Sequence, residues 1–378
     1  MFNDLVAFFR DVQTFEAVML AIAGAIWLLL LLHSIFFGLR LAFRRVEGSG
    51  AASVPLSVIV VERNEEENLR EKLPGWLSMG YPDYEVLVVD DFSEDNSQTI
   101  VGLLRLKEPK LRMTGLNQET RYSSKLARNL GLKAAAHDRV VFIQPDSLTP
   151  DNHWLPGIAT AFSGQKEVVV GYTRFSAARG FYHHLFRVES FLQQTESMAF
   201  CINGLPFVAM EENIAFDRKA YFSISGFAGK IGEEYLNMEL VFNQIISRKN
   251  STVLLAGNLS VERDMAARKQ DFRELYYKSF VLNGYLTFGI RALRWSVNWL
   301  KVIFLPFLVV CFVLFKPLWP LLLAMFVLLA VIRGVYMKRL FNRLNESGFF
   351  VTSLLYGWLI PYIRIFTNWH FRYKRRNP

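Results

Sequence analysis

Residues 56–61 (LSVIVV) form an apolar, β-branched run with no helical period, and the polar run Glu62-Arg63-Asn64-Glu65-Glu66-Glu67-Asn68 follows at once. After a helix-like segment comes a second such run, residues 84–89 (YEVLVV), which ends in Asp90-Asp91-Phe92-Ser93. Strands buried on both faces read as unbroken apolar runs, and parallel strands need a helical crossover, so the pattern predicts a βαβ unit of a parallel sheet. Ligands in such sheets bind in the crevice beyond the carboxyl ends of the strands, where both acidic clusters fall.

The alternation continues to about residue 259. Residues 123–136 (SSKLARNLGLKAAA) read as a helix, and residues 139–143 (RVVFI) as a strand that stops at Gln144-Pro145-Asp146-Ser147. Residues 167–170 read as a further strand and residues 179–199 as a helix with Phe, Leu and Met on one face. The fold class is therefore α/β. Adjacent residues on a helix point about 100° apart, so His183 and His184 cannot both face one metal, and a packed helix surface is the better reading.

Membrane segments flank this domain. Residues 17–39 carry only His33 and Ser34 as clearly polar members, long enough for the roughly 30 Å hydrocarbon core of a bilayer. Asp4, Asp11 and Glu16 precede the run with Arg10, and Arg40, Arg44 and Arg45 follow it, so the charge rule puts the N-terminus outside and the main domain in the cytoplasm. The length of the run and its trailing cations argue against a cleaved signal peptide. Residues 47–55 read as a flexible linker. Near the other end, residues 299–315 and 317–332 make two apolar segments around Lys316-Pro317, either a transmembrane hairpin or a shallower re-entrant pair. A last apolar stretch, residues 349–366, contains Pro361 and leads into a tail with Arg372, Lys374, Arg375 and Arg376. Crossing would export that tail against the charge rule, which favours an interfacial helix.

Composition agrees. The chain of 378 residues is 52% hydrophobic with 33 Phe, and its mean hydropathy is +0.20. Its net charge of +9 does not point to nucleic acid, because the cations cluster beside the apolar runs, where anionic lipid attracts them. Cys201 and Cys311 are isolated and make neither a disulfide framework nor a metal site. The expected location is the plasma (inner) membrane, with the chain multi-pass or hairpin-anchored.

The stretch from residue 56 to 97 resembles the start of a family 2 glycosyltransferase with the GT-A fold, of the membrane-bound bacterial type. In that family the first strand ends in an RNEEEN-like loop and the second in VVDD-x-S. The resemblance covers about residues 56–273, within a domain at 56–290. It implies transfer of a sugar from a nucleotide-sugar donor to a lipid-linked or glycan acceptor near the membrane, in cell-surface glycan synthesis. Membrane proteins are possible partners.

The resemblance also implies the site. Glu65, Asp90 and Asp91 would hold the nucleoside, and Lys125 and Arg128 would lie near the diphosphate. The family's Asp-x-Asp, which holds Mg²⁺ or Mn²⁺, is here Gln144-Pro145-Asp146, so one acidic ligand has become a neutral amide. Asn213, Ala215 and Phe216 keep a family core in which Glu212 replaces a small residue. The catalytic base of the family's Gly-Glu-Asp motif falls on Glu234, beside Glu233, in one alignment and on Glu239 in a second that puts Asn237 and Met238 where acids belong. Gln270 and Arg273 keep the spacing of a Gln-x-x-Arg-Trp motif, but Glu274 stands where the Trp belongs. These departures leave open a rival from another class: a degenerate, transferase-like scaffold or regulatory subunit within a membrane glycan assembly.

Overall fold

A computed structural model describes residues 14–45, 54–162 and 166–376. The acidic and basic residues read before position 14, most of the 47–55 linker and the last two residues lie outside the described residues, as do the side chains of the basic tail. The chain divides into two compact units, one of residues 45–286 with 342–349, the other of 1–44, 287–341 and 350–378.

The first unit is a seven-stranded, mostly parallel sheet in the order β3-β2-β1-β4-β7-β5-β8. Its strands are β1 (Leu56–Glu62), β2 (Tyr84–Asp90), β3 (Leu111–Gly115), β4 (Arg139–Ile143), β5 (Val168–Val170), β7 (Ile214–Asp217) and β8 (Ser251–Val253). The helices α2 (Glu66–Leu77), α3 (Ser97–Arg105) and α4 (Ser123–Ala134) supply the crossovers that parallel β1, β2, β3 and β4 require. β7 runs antiparallel between β4 and β5. The predicted βαβ unit is present, and β2 is buried along its whole length. Gly131 lets α4 settle onto the sheet, since a Cβ there would come within 2.9 Å of Val89 Cγ2 and 3.0 Å of Ile59 Cγ2.

The rest of this unit stands beside the sheet. Helix α5 (Trp154–Ala161) follows β4, and β6 (Thr173–Phe175) pairs with β9 (Val261–Arg263) in a small second sheet. Three helices follow in chain order: α6 (Phe181–Ile202), α7 (Arg218–Ser223) and α8 (Met238–Ile245), with α9 (Lys269–Tyr285) after β9. The histidine pair divides as helical geometry requires. His183 is buried, its Nε2 2.8 Å from the Ser176 carbonyl oxygen, while its Nδ1 accepts the Ala267 N–H at 3.1 Å. Burial lowers its pKa, which fits this neutral, structural tautomer.

Among the described residues the second unit holds four helices long and apolar enough to cross a membrane: α1 (Thr14–Phe43), α10 (Phe288–Leu314), α11 (Trp319–Arg343) and α12 (Phe350–Arg376). Ala23, Ile26 and Leu30 of α1 share a core with Phe304, Leu308 and Cys311 of α10. Helices α10 and α11 both run past the apolar stretches visible in the sequence. Arg294 and Arg333, which read as flanking cations, are buried. Sequence windows end at a cation, whereas a helix ends only where its backbone does.

Candidate active site

The strand ends are acidic because of register. Glu62 lies opposite Asp90 across β1 and β2, so two carboxylates close adjacent strands at their carboxyl ends. Asp90 Oδ1 accepts the Ser93 N–H at 3.1 Å, and its Oδ2 accepts from Gln98 Nε2 at 2.6 Å. Glu62 takes a bond from Ser93 Oγ at 3.2 Å through one oxygen, while the other is buried with no partner among the described residues. Burial first, then the neighbouring Asp90 carboxylate, push the Glu62 carboxyl up to about 8. Sequence reading passed over Glu62 because only the parallel register shows that it faces Asp90.

Asp91 is also buried, accepts from Ser123 Oγ at 3.2 Å, and has a second oxygen with no partner among the described residues. Burial raises its pKa. Glu65 is half-buried at the start of α2, where its Oε2 accepts from Asn68 Nδ2 at 2.7 Å. Asp91 therefore presents an unfilled acceptor, the kind of group that a hydroxyl or N–H of a nucleoside would satisfy, while Glu62, protonated below about pH 8, offers a donor as well.

The basic start of α4 points inward. Arg128 is buried and forks onto Glu211, Nη2 to Oε1 at 2.6 Å and Nε to Oε2 at 3.1 Å. Glu211 also accepts the Met238 N–H at the start of α8, at 3.1 Å. Burial would raise the Glu211 pKa, but Arg128 outweighs it and holds the carboxyl low. Lys125 is buried, its Nζ donates to the Glu233 carbonyl oxygen, and burial lowers its pKa.

The three candidate bases separate. Glu234 is exposed, with Arg121 at 3.2 Å. Glu233 is half-buried and accepts from the Tyr285 hydroxyl at 3.2 Å. Glu239, in the first turn of α8, is buried and lines a cavity of about 170 Å³ together with Glu211, Glu212, Arg263 and Lys278. Its Oε2 accepts the Asn237 N–H at 2.9 Å. Burial, reinforced by Glu211, pushes its carboxyl up to about 7. Lys278 responds in the opposite sense: burial would lower it, but the Glu239 and Glu274 charges prevail and raise it.

At the end of β4, Asp146 is not open to a cation. Arg263 grips it with both arms, Nε to Oδ1 at 2.8 Å and Nη2 to Oδ2 at 2.9 Å, and reaches Glu212 Oε1 with Nη1 at 2.9 Å. The backbone locks this arrangement, since Asp264 N–H donates to the Asp146 carbonyl oxygen and Leu148 N–H to that of Glu262. Gln144 is half-buried beside Asp146 in sequence. Among the described residues no three His, Cys, Asp or Glu side chains gather as a cation site. The side chains present therefore do not make the divalent-cation site expected at Gln144 and Asp146.

Helix α9 meets the cavity with a different face from the one its sequence suggested. Gln270 and Arg273 are exposed, Arg273 reaching the Tyr277 hydroxyl at 3.4 Å, while Asp271, Glu274 and Lys278 line the cavity. The Asn213 of the family core serves the scaffold. Its side chain bonds Trp154 Nε1 at 2.9 Å and the Tyr172 carbonyl oxygen at 2.8 Å. Gly171 beneath it is required, because a Cβ there would meet Asn213 Cγ at 2.5 Å.

A mainly parallel sheet with one antiparallel strand beside β4 and buried acids at its carboxyl ends defines a GT-A-type fold. Residues 57–222 match the family model described as Glycosyl transferase family 2. The glycosyltransferase GlyG of Streptococcus pneumoniae is 28% identical over 97 residues, which are 26% of this chain and 32% of that protein. The chain thus spans about a third of the length of this curated relative. Among solved structures, the mannosyltransferase PcManGT from Pyrobaculum calidifontis, in complex with GDP-Man and Mn²⁺, superposes with a TM-score of 0.54 at 18% identity. That match covers 91% of this chain and 98% of the other. Residues 1–349 of S. aureus TarS give a TM-score of 0.43 at 15% identity, over 85% of this chain and 92% of the other.

Proposed function

We propose that this chain is a membrane-associated, inverting glycosyltransferase that moves a sugar from a nucleotide-sugar donor to a lipid-linked or membrane-proximal acceptor, with Glu239 as its base. The observation that carries this reading is Glu239 itself, a buried carboxyl in a cavity whose pKa stands near 7. In the transfer, the bond between the anomeric carbon and the diphosphate oxygen breaks and its electron pair leaves on the diphosphate. The acceptor oxygen forms the new bond, and its proton passes to Glu239. The buried strand-end acids at Glu62, Asp90 and Asp91, with Glu65, would hold the nucleoside, and Lys125 and Arg128 would face the departing charge. The Mn²⁺ held by the Pyrobaculum calidifontis mannosyltransferase fits divalent-cation use within the fold. No step here is assigned to a cation, because Asp146 is already held by Arg263.

Glu239→Gln is expected to lower kcat by about 10²–10⁴-fold, the usual worth of a general base, while Glu234→Gln stays near wild type. The rate should rise about tenfold per pH unit below pH ~7 and level off above it, because only the ionised carboxyl takes a proton. The measurement is release of UDP or GDP from a set of nucleotide sugars by detergent-solubilised protein supplied with membrane lipid. Loss on Glu234→Gln with Glu239→Gln silent would reassign the base. A second, non-catalytic reading is favoured by one observation, the mutual pairing of Arg128 with Glu211 and of Arg263 with Asp146 and Glu212. Folded protein that releases no nucleotide from any donor supports it.

A further inference from the structure

Three residues of unusual type meet at the end of β4. Gln144 removes a carboxylate from the cation motif, Glu212 adds one nearby, and Arg263 joins Glu212 to the remaining Asp146. Both Asp146 and Glu212 are paired with the same guanidinium. A cation and this arginine would compete for identical oxygens, and the arginine is covalently part of the chain. It is also rigidly seated. Arg263 ends β9, its backbone bridges Ser147, and its side chain passes over the Phe175 ring at 5.7 Å. A guanidinium carries five N–H groups, of which Asp146 and Glu212 use three. Two donors remain on a side chain that lines the Glu239 cavity, where Lys278 is a second cation and Glu211, Glu212, Glu239, Asp271 and Glu274 are the acids.

We infer that Arg263 stands in for the divalent cation, so that this chain binds a nucleoside diphosphate without metal. The inference rests on the nucleotide-sugar reading above. An arginine is suited to the task, because its planar fork pairs with carboxylate and phosphate alike and never loses its charge at working pH. It also differs from a metal in a measurable way. A cation-dependent site loses its ligand on chelation, whereas an arginine site does not.

The test is calorimetric titration of the full-length, detergent-solubilised protein with UDP and with GDP, in EDTA and in Mn²⁺, alongside electron paramagnetic resonance of Mn²⁺ mixed with protein and nucleotide. The expected result is an affinity that differs by less than about threefold between EDTA and Mn²⁺, with Mn²⁺ remaining in its free spectrum. Arg263→Met should weaken binding roughly tenfold or more in EDTA, and Arg263→Lys, which keeps the charge but loses the fork, should fall between. Because Arg263 is tied to Asp146, a thermal melt accompanies each variant, and the chelation comparison on the unaltered protein decides the matter even if both variants misfold. Binding that vanishes in EDTA and returns with Mn²⁺ overturns the arginine substitution and leaves the transferase reading standing. Binding of neither nucleotide in either condition, by protein shown to be folded, overturns the UDP- and GDP-sugar reading and the inference with it.

Discussion

Glu62 shows how one residue's neighbours turn an ordinary acid into a pH-sensitive one. A carboxyl raised from 4.5 to about 8 keeps its proton in the folded chain while the unfolded chain releases it near pH 4.5. The folded state then binds more protons across that window, so stability falls as pH rises from about 4.5 through 8 and is flat beyond. Glu62→Gln removes the penalty without removing the side chain's bulk. The variant should be more stable than wild type by about 1–3 kcal/mol near pH 8, with the gap closing toward pH 5. Thermal melts in detergent across that range would show it, and a gap independent of pH would mean that Asp90 and burial do not act on Glu62 as described. At this scale sequence reading succeeds for charges and fails for partnerships. Asp90, Asp91, Lys125 and Arg128 are visible as charged residues beyond strands or at a helix start. That Asp146 belongs to Arg263, 117 residues away, is a fact of packing that no local pattern carries.

Among the elements, the long ones were legible and the returning ones were not. β1, β2 and β4 announce themselves as apolar β-branched runs, and α4 by its alternation of small and basic residues, because each buries a face whose period is local. The segment 342–349 carries no such period, yet it belongs with the globular unit. There Glu346 takes the Arg187 guanidinium at 3.0 Å and the Tyr172 hydroxyl at 2.7 Å, and its own carboxyl is raised by burial. Phe349 is only 1% exposed, edge-on to Phe191 at 5.8 Å with Arg187 at 4.7 Å above its ring. Phe349→Ala should therefore cost about 3–5 kcal/mol, the usual loss for a fully buried aromatic, and lower the melting point of the protein. Ser347→Ala, two residues away and exposed, should leave it unchanged. Equal melting points for the two variants would mean that the segment is not seated in the globular unit.

For the whole molecule, that short segment constrains how the chain meets a bilayer. α10 leaves the globular unit directly after Leu286, and α11 delivers the chain back to the same unit at Asn342. The two helices each have a mean hydropathy of 2.3, and a pair of crossings is the expected arrangement that would begin and end on one side. α12 is different. Its apolar part stops at Thr367 with a mean hydropathy of 1.2, half that of α1, and cations follow. An export of that charge opposes the positive-inside rule, so α12 is expected to lie along the cytoplasmic surface. Cysteine labelling tests all of this at once, with Cys201 and Cys311, both buried, replaced by Ala. In intact host cells a membrane-impermeant maleimide should reach Lys316→Cys, at the turn between α10 and α11. It should reach Lys107→Cys, Ser347→Cys and a cysteine added after Pro378 only once the cells are opened. A protected Lys316→Cys would make the pair re-entrant, and Ser347→Cys labelled from outside would break the link between the returning segment and the globular unit. An added terminal cysteine labelled from outside would make α12 a span and set the charge rule aside for this chain. Because the proposed acceptor is lipid-linked, the first two results also decide on which side of the membrane the globular unit, and with it the Glu239 cavity, would meet such an acceptor.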